Sequence, residues 1–78
     1  MVNSDVREVI KIWDVIDGPY PAGIPEREEA YYNVCKVELN GKISEIEYVF
    51  GSFNSAYEMV KYFQTNIEPI EVSSEDSI

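Results

Sequence analysis

The stretch Tyr31-Tyr32-Asn33-Val34-Cys35-Lys36-Val37-Glu38-Leu39-Asn40-Gly41-Lys42-Ile43-Ser44-Glu45-Ile46-Glu47-Tyr48-Val49-Phe50 sets the dipeptide Asn40-Gly41 between two alternating runs rich in strand-forming residues. A two-residue type I′ turn needs positive φ at both central positions, and Asn followed by Gly meets that need at little steric cost. The dipeptide therefore predicts a hairpin and its register. With Leu39 opposite Lys42, one face carries the pairs Val37/Ser44, Cys35/Ile46, Asn33/Tyr48 and Tyr31/Phe50. The other carries Lys36/Glu45, Val34/Glu47 and Tyr32/Val49, the first a favourable charge pair. Both strands put their more apolar set on the same side, as a register that buries one face requires.

Downstream, Phe53, Ala56, Tyr57, Val60, Phe63 and Ile67 recur at spacings of three and four, with Asn54, Glu58, Lys61 and Gln64 on the opposite side. That period predicts an amphipathic helix able to cover the apolar face of the hairpin. Ser52 or Ser55 can cap its start, the latter with Glu58 as a capping box, and Asn66 with Pro69 can end it. Ile70-Glu71-Val72 then alternates as a short strand, with Pro69 at its start, where a missing N–H is tolerated on an edge.

Residues 6–16 admit two readings. Val6, Val9, Ile10, Trp13 and Ile16 fit a helical stripe that Ser4 or Asp5 can cap, yet the segment is dominated by strand-favouring types, with a bulge near Trp13 to absorb its imperfect alternation. The absence of Ala and Leu favours the strand. The fold class expected is α+β: a small antiparallel sheet in the order β-β-β-α-β with one helix packed on one face. Residues 1–72 are expected to form a single domain and 73–78 a flexible acidic tail. Gly18-Pro19-Tyr20-Pro21-Ala22-Gly23-Ile24-Pro25 holds three of the four prolines and two of the four glycines and reads as a loop.

Composition narrows the function classes. Fifteen acidic residues against six basic ones give a net charge of -9, which disfavours direct contact with nucleic acid phosphates or anionic lipid. No apolar run nears the roughly 18 residues of a membrane span and the first residues do not resemble a signal peptide, so a cytoplasmic location is expected. Histidine is absent, removing the commonest general base and metal ligand, and the single cysteine, Cys35, rules out an internal disulfide. Its place in an alternating run points to a buried, inert thiol.

The carboxylates Asp14, Asp17, Glu26, Glu28 and Glu29 flank the proline-rich segment but match no calcium-loop spacing, and Gly18 and Gly23 are interleaved with prolines that cannot cradle a phosphate. Without histidine no serine has an obvious activating base. The reading is of a protein without catalytic residues, cofactor or metal.

Two features suit partner binding. The first is the stiffened segment with Tyr20, Pro21 and Ile24 as anchors and the acidic flank Glu26, Glu28 and Glu29. The second is the sheet face turned from the helix, where Tyr32, Val34, Ile43 and Val49 mix with charged residues. The function expected is a small accessory or regulatory module, bacterial or phage-like in its compactness, that binds another, basic protein. Two alternatives are a DNA mimic that inhibits a nucleic-acid-binding protein and a homodimeric structural domain.

Overall fold

Three consecutive antiparallel strands, a helix that crosses back over them and a short fourth strand make up the fold in a computed structural model that describes residues 9–73. Strand β1 runs Val9–Pro21, β2 Tyr31–Leu39 and β3 Lys42–Phe50; helix α1 runs Phe53–Thr65 and strand β4 Ile70–Ser73. The sheet order is β3-β2-β1-β4 and every pairing is antiparallel. This is the α+β arrangement read from the sequence.

The β2–β3 hairpin turns at Asn40 (φ 54°) and Gly41 (φ 80°), both positive as a type I′ turn requires. Its register pairs Leu39 with Lys42, Cys35 with Ile46 and Tyr31 with Phe50 without interruption, as expected. Asn33, Cys35 and Val37 on one face are buried, and Lys36 between them is exposed, so the turn chemistry and the burial pattern agree.

The first segment is a strand over its described part, and it is longer than expected at its C-terminal end. Val6 and the cap candidates Ser4 and Asp5 lie outside the described residues. The register against β2 slips between Ile12 and Asp14, which makes Trp13 the extra residue of a bulge, and slips again between Val15 and Asp17 and between Asp17 and Tyr20.

Gly18 to Pro21, read as loop, belong to β1: Tyr20 pairs with Tyr32 and Pro21 with Tyr31, and the Gly18–Pro19 peptide is cis. Because β4 pairs only with Val9 to Ile12, the rest of β1 is an edge, where prolines are admitted to strands. The loop is therefore 22–30. It closes through the amide of Ala22 donating to Ala30 O (2.9 Å) and that of Arg27 donating to Ile24 O (2.9 Å).

Ile12, Cys35 and Val37 form the buried centre, surrounded by Ile10, Val15, Ile46, Tyr48, Ile70 and Val72 of the sheet and Met59 and Phe63 of the helix. Each such side chain, fully buried, contributes about 1.5–3 kcal/mol, so this small group carries much of what holds the fold. Helix α1 is capped by Ser52, whose Oγ accepts from the Ser55 amide at 3.2 Å. It ends at Asn66, whose Nδ2 donates to the Tyr62 carbonyl at 2.9 Å, satisfying one acceptor left open at the helix terminus.

The covered stripe is Ala56, Met59 and Phe63, not the expected set in full. Phe53 and Tyr57 are exposed and stack on each other at 5.7 Å, and Ile67 lies beyond the helix. Ser73, assigned to the tail, closes β4; residues 74–78 lie outside the described residues. No described helix is long and apolar enough to cross a membrane.

Candidate functional surface

One helix covers one face of the sheet, so among the described residues the other is left open. Antiparallel pairing aligns its side chains in rows across β1, β2 and β3. The first row is Tyr20, Tyr32 and Val49; the second Asp17, Val34 and Glu47; the third Asp14, Lys36 and Glu45; the fourth Lys11, Glu38 and Ile43. Glu71 of β4 extends the fourth row beside Lys11.

The register unites two surfaces that the sequence suggested separately. Tyr20, taken as a loop anchor, lies beside Tyr32 of the sheet face with ring centroids 5.7 Å apart. The Tyr20 hydroxyl donates to Asp17 Oδ2 at 2.8 Å, and the neighbouring Gly18 amide donates to Asp17 Oδ1 at 3.0 Å. The hydrogen bond to Asp17 raises the Tyr20 pKa above its ordinary value, with desolvation and nearby negative charge acting in the same direction. Tyr20 thus stays a neutral donor at any physiological pH. Val34 is half-buried between these rows, whereas Ile43 (54% exposed) and Val49 (49%) lie largely open.

The bulge at Trp13 has a local consequence that alternation alone did not reveal. It lets the consecutive residues Trp13 and Asp14 line one shallow pocket of about 410 Å³, together with Lys36, Glu38 and Ile43. The Trp13 indole N–H donates to Glu38 Oε1 at 3.0 Å. Trp13, Asp14, Lys36 and Glu38 were absent from the expected binding set; the broken alternation at Trp13 was the signal, but its direction follows only once β1 is paired with β2.

Ile24 sits apart, half-buried in the tight turn Ile24-Pro25-Glu26-Arg27, and Glu26, Glu28 and Glu29 are exposed on the same loop. Pro21 ends β1 opposite Tyr31, one position beyond the tyrosine row.

Around the apolar residues stand the carboxylates of Asp14, Asp17, Glu38, Glu45, Glu47 and Glu71, against the two cations Lys11 and Lys36. Lys36 and Glu45 face each other in register, but among the described residues the ion pair within 4 Å is Lys61–Glu58 on the helix, 3.5 Å apart. No group of three Cys, Asp or Glu side chains among the described residues converges to hold a metal ion.

The architecture defines an open-faced α+β sheet domain. Comparison with protein families, curated proteins and solved structures finds no match to this chain.

Proposed function

We propose that this chain is a non-catalytic accessory module that binds a protein with a basic surface through the uncovered face of its sheet. The observation that carries the reading is the row Tyr20, Tyr32 and Val49, which sets two tyrosines and a half-exposed valine together on the face that no described helix protects. Tyrosines offer large contact area with little conformational freedom to lose, and such residues dominate binding energy where they cluster at the centre of an interface.

The surrounding charge selects the class of partner. With six carboxylates against two lysines, this face repels a second copy of itself laid against it and attracts a cationic surface. Glu26, Glu28 and Glu29 on the adjoining loop add to the same field and speed encounter without needing close contact.

A photo-reactive side chain placed at Tyr32 or Val49, with Gln64 on the exposed side of the helix as reference, tests this in cells of the native host. The expected result is capture of one protein with a basic surface from positions 32 and 49 and none from 64. In a lysate of the same cells capture should fade in about 1 M salt, where the screening length falls to about 3 Å. Capture from position 64 alone, or capture at 32 and 49 of nothing but a second copy of the chain, overturns the reading.

A further inference from the structure

The open edge of β3 differs from the opposite side of the sheet, and the difference is chemical as well as geometric. A two-residue turn makes Leu39 and Lys42 a hydrogen-bonded pair, and such pairs alternate along an antiparallel ladder. The main-chain groups of Lys42, Ser44, Ile46, Tyr48 and Phe50 therefore point to β2, and those of Ile43, Glu45, Glu47 and Val49 point away from it. Among the described residues no strand pairs with that side.

β3 runs for nine residues without a proline or a slip in register. On the other side, β4 has four residues and follows Pro69, and the uncovered part of β1 carries Pro19, Pro21 and three register shifts. Bulges, prolines and short strands keep foreign chains off an edge; β3 has none of these and relies on charge alone.

We propose that this edge takes up an extended basic segment of the partner as a fifth strand, an inference that rests on the protein-binding reading and specifies how the contact is made. Glu45 and Glu47 are exposed on the outer face at the two central outward-pairing positions, so an incoming strand with Lys or Arg at alternate positions sets opposite charges across from them. On the inner face the half-buried Ile46, packed on the core, and the half-buried Phe50 meet apolar residues of the same strand. A second copy fits less well: pairing centred on Ile46 sets Glu45 against Glu47, pairing centred on either glutamate sets it against itself, and the registers that avoid this, centred on Ser44 or Tyr48, overlap β3 over about five residues only. Main-chain hydrogen bonds hold such a strand, and the alternating side chains select it.

The probes are short synthetic peptides: one alternating lysine and valine, one of the same composition in two blocks, and one alternating glutamate and valine. Binding of each to the isotope-labelled chain is followed residue by residue through its amide resonances and hydrogen exchange. The expected result is binding of the alternating basic peptide alone, with exchange slowed at the amides of Glu45 and Glu47. Glu47→Pro removes one outward N–H where an edge strand tolerates proline, and should weaken binding about five- to tenfold. Glu47→Gln, which keeps the N–H and loses one exposed charge, should weaken it only about two- to threefold.

A copy of the peptide N-methylated along its pairing side leaves the protein unaltered and must fail to bind even if the proline variant unfolds. Equal binding of the block peptide, or failure of every basic peptide, overturns the inference. Binding that perturbs only Tyr20, Tyr32 and Lys36 and ignores Glu47→Pro overturns the edge inference while leaving the protein-binding reading in place.

Discussion

Asn33, fully enclosed in β2, donates from Nδ2 to the main-chain carbonyl of Ala56 in α1 at 2.9 Å, so a single amide ties the sheet to the helix that covers it. Its Oδ1 has no hydrogen-bond partner among the described residues. Asn33→Ala removes the tie together with the half-satisfied oxygen, and a loss of about 1–2 kcal/mol in urea unfolding is expected. Asn33→Asp should cost more at neutral pH, because a buried carboxylate then faces a carbonyl oxygen, whereas its protonated form can still donate. The carboxyl at position 33 has its folded pKa raised above the ordinary value of about 3.9. Its contribution is therefore complete below that unfolded value and is lost as pH rises from there through the raised folded value. The deficit relative to the parent chain must shrink on acidification, and a deficit independent of pH would contradict the assignment of the donor.

Gly18 stands against the same asparagine. It holds φ at +127°, and a Cβ there would lie 2.9 Å from Asn33 Cα and 3.1 Å from Tyr32 O, both main-chain atoms that cannot swing aside. Gly18→Ala should therefore lower stability by about 2–4 kcal/mol, combining backbone strain with a forced displacement of β2. Gly23 is the control. It also has positive φ, +75°, but nothing lies within 4 Å of an added Cβ, so Gly23→Ala should lose only about 1 kcal/mol. Thermal unfolding of the two variants side by side separates crowding from strain; equal losses would refute the close approach.

The helix supplies a third comparison. Met59 and Phe63 pack on the core, while Ile67, which the apolar spacing had joined to the same stripe, is 91% exposed. Phe63→Ala should destabilise by about 3–5 kcal/mol and Met59→Ala by about 2–4, whereas Ile67→Ala should stay within about 0.5 of the parent. A large effect at Ile67, measured by denaturant unfolding, would show that the chain beyond the Asn66 cap packs on the core.

The joining of Phe53, Tyr57 and Ile67 to the covered stripe has a physical origin. Two apolar stripes run side by side along α1, and Phe53, Tyr57 and Val60 are as hydrophobic as Ala56, Met59 and Phe63; spacing alone does not tell which faces the sheet. The exposed aromatics find partners on the surface: Phe53 meets Tyr31 edge to face at 5.2 Å, and Lys61 Nζ lies 5.3 Å from the Tyr57 ring. Where local chemistry allows one answer, the sequence was legible: Asn40-Gly41 admits one turn, and the turn sets every pair from Leu39/Lys42 to Tyr31/Phe50. β1 was legible as a strand but not in extent, because Gly18-Pro19-Tyr20-Pro21 has turn composition and becomes strand only through pairing with Tyr31 and Tyr32. The union of Tyr20 with Tyr32, and the pocket that Trp13 shares with Asp14, depend on the same non-local pairing and could not be read from residues near in sequence.

Cys35 lies at the centre of the core, fully buried, with its thiol near the Asn33 carbonyl at 3.8 Å. Burial, reinforced by the negative charge of Asp14, pushes its pKa up from 9.0 to about 11. A folded pKa raised above the unfolded one means that the folded chain holds the thiol proton more tightly. The contribution to stability is thus fully present below pH 9 and is lost as the pH climbs from about 9 to about 11. Two measurements follow from this. A thiol-specific reagent at pH 8 should label the native chain only as fast as it opens, so labelling should accelerate with denaturant up to the rate of the unfolded chain. Urea unfolding between pH 8.5 and 11 should show a steeper fall in stability for the parent than for Cys35→Ala, the difference isolating the thiol from every group the two chains share. Rapid labelling of the folded chain, or parallel pH curves for the two, would mean that position 35 is in contact with solvent and that the helix does not seal this part of the sheet.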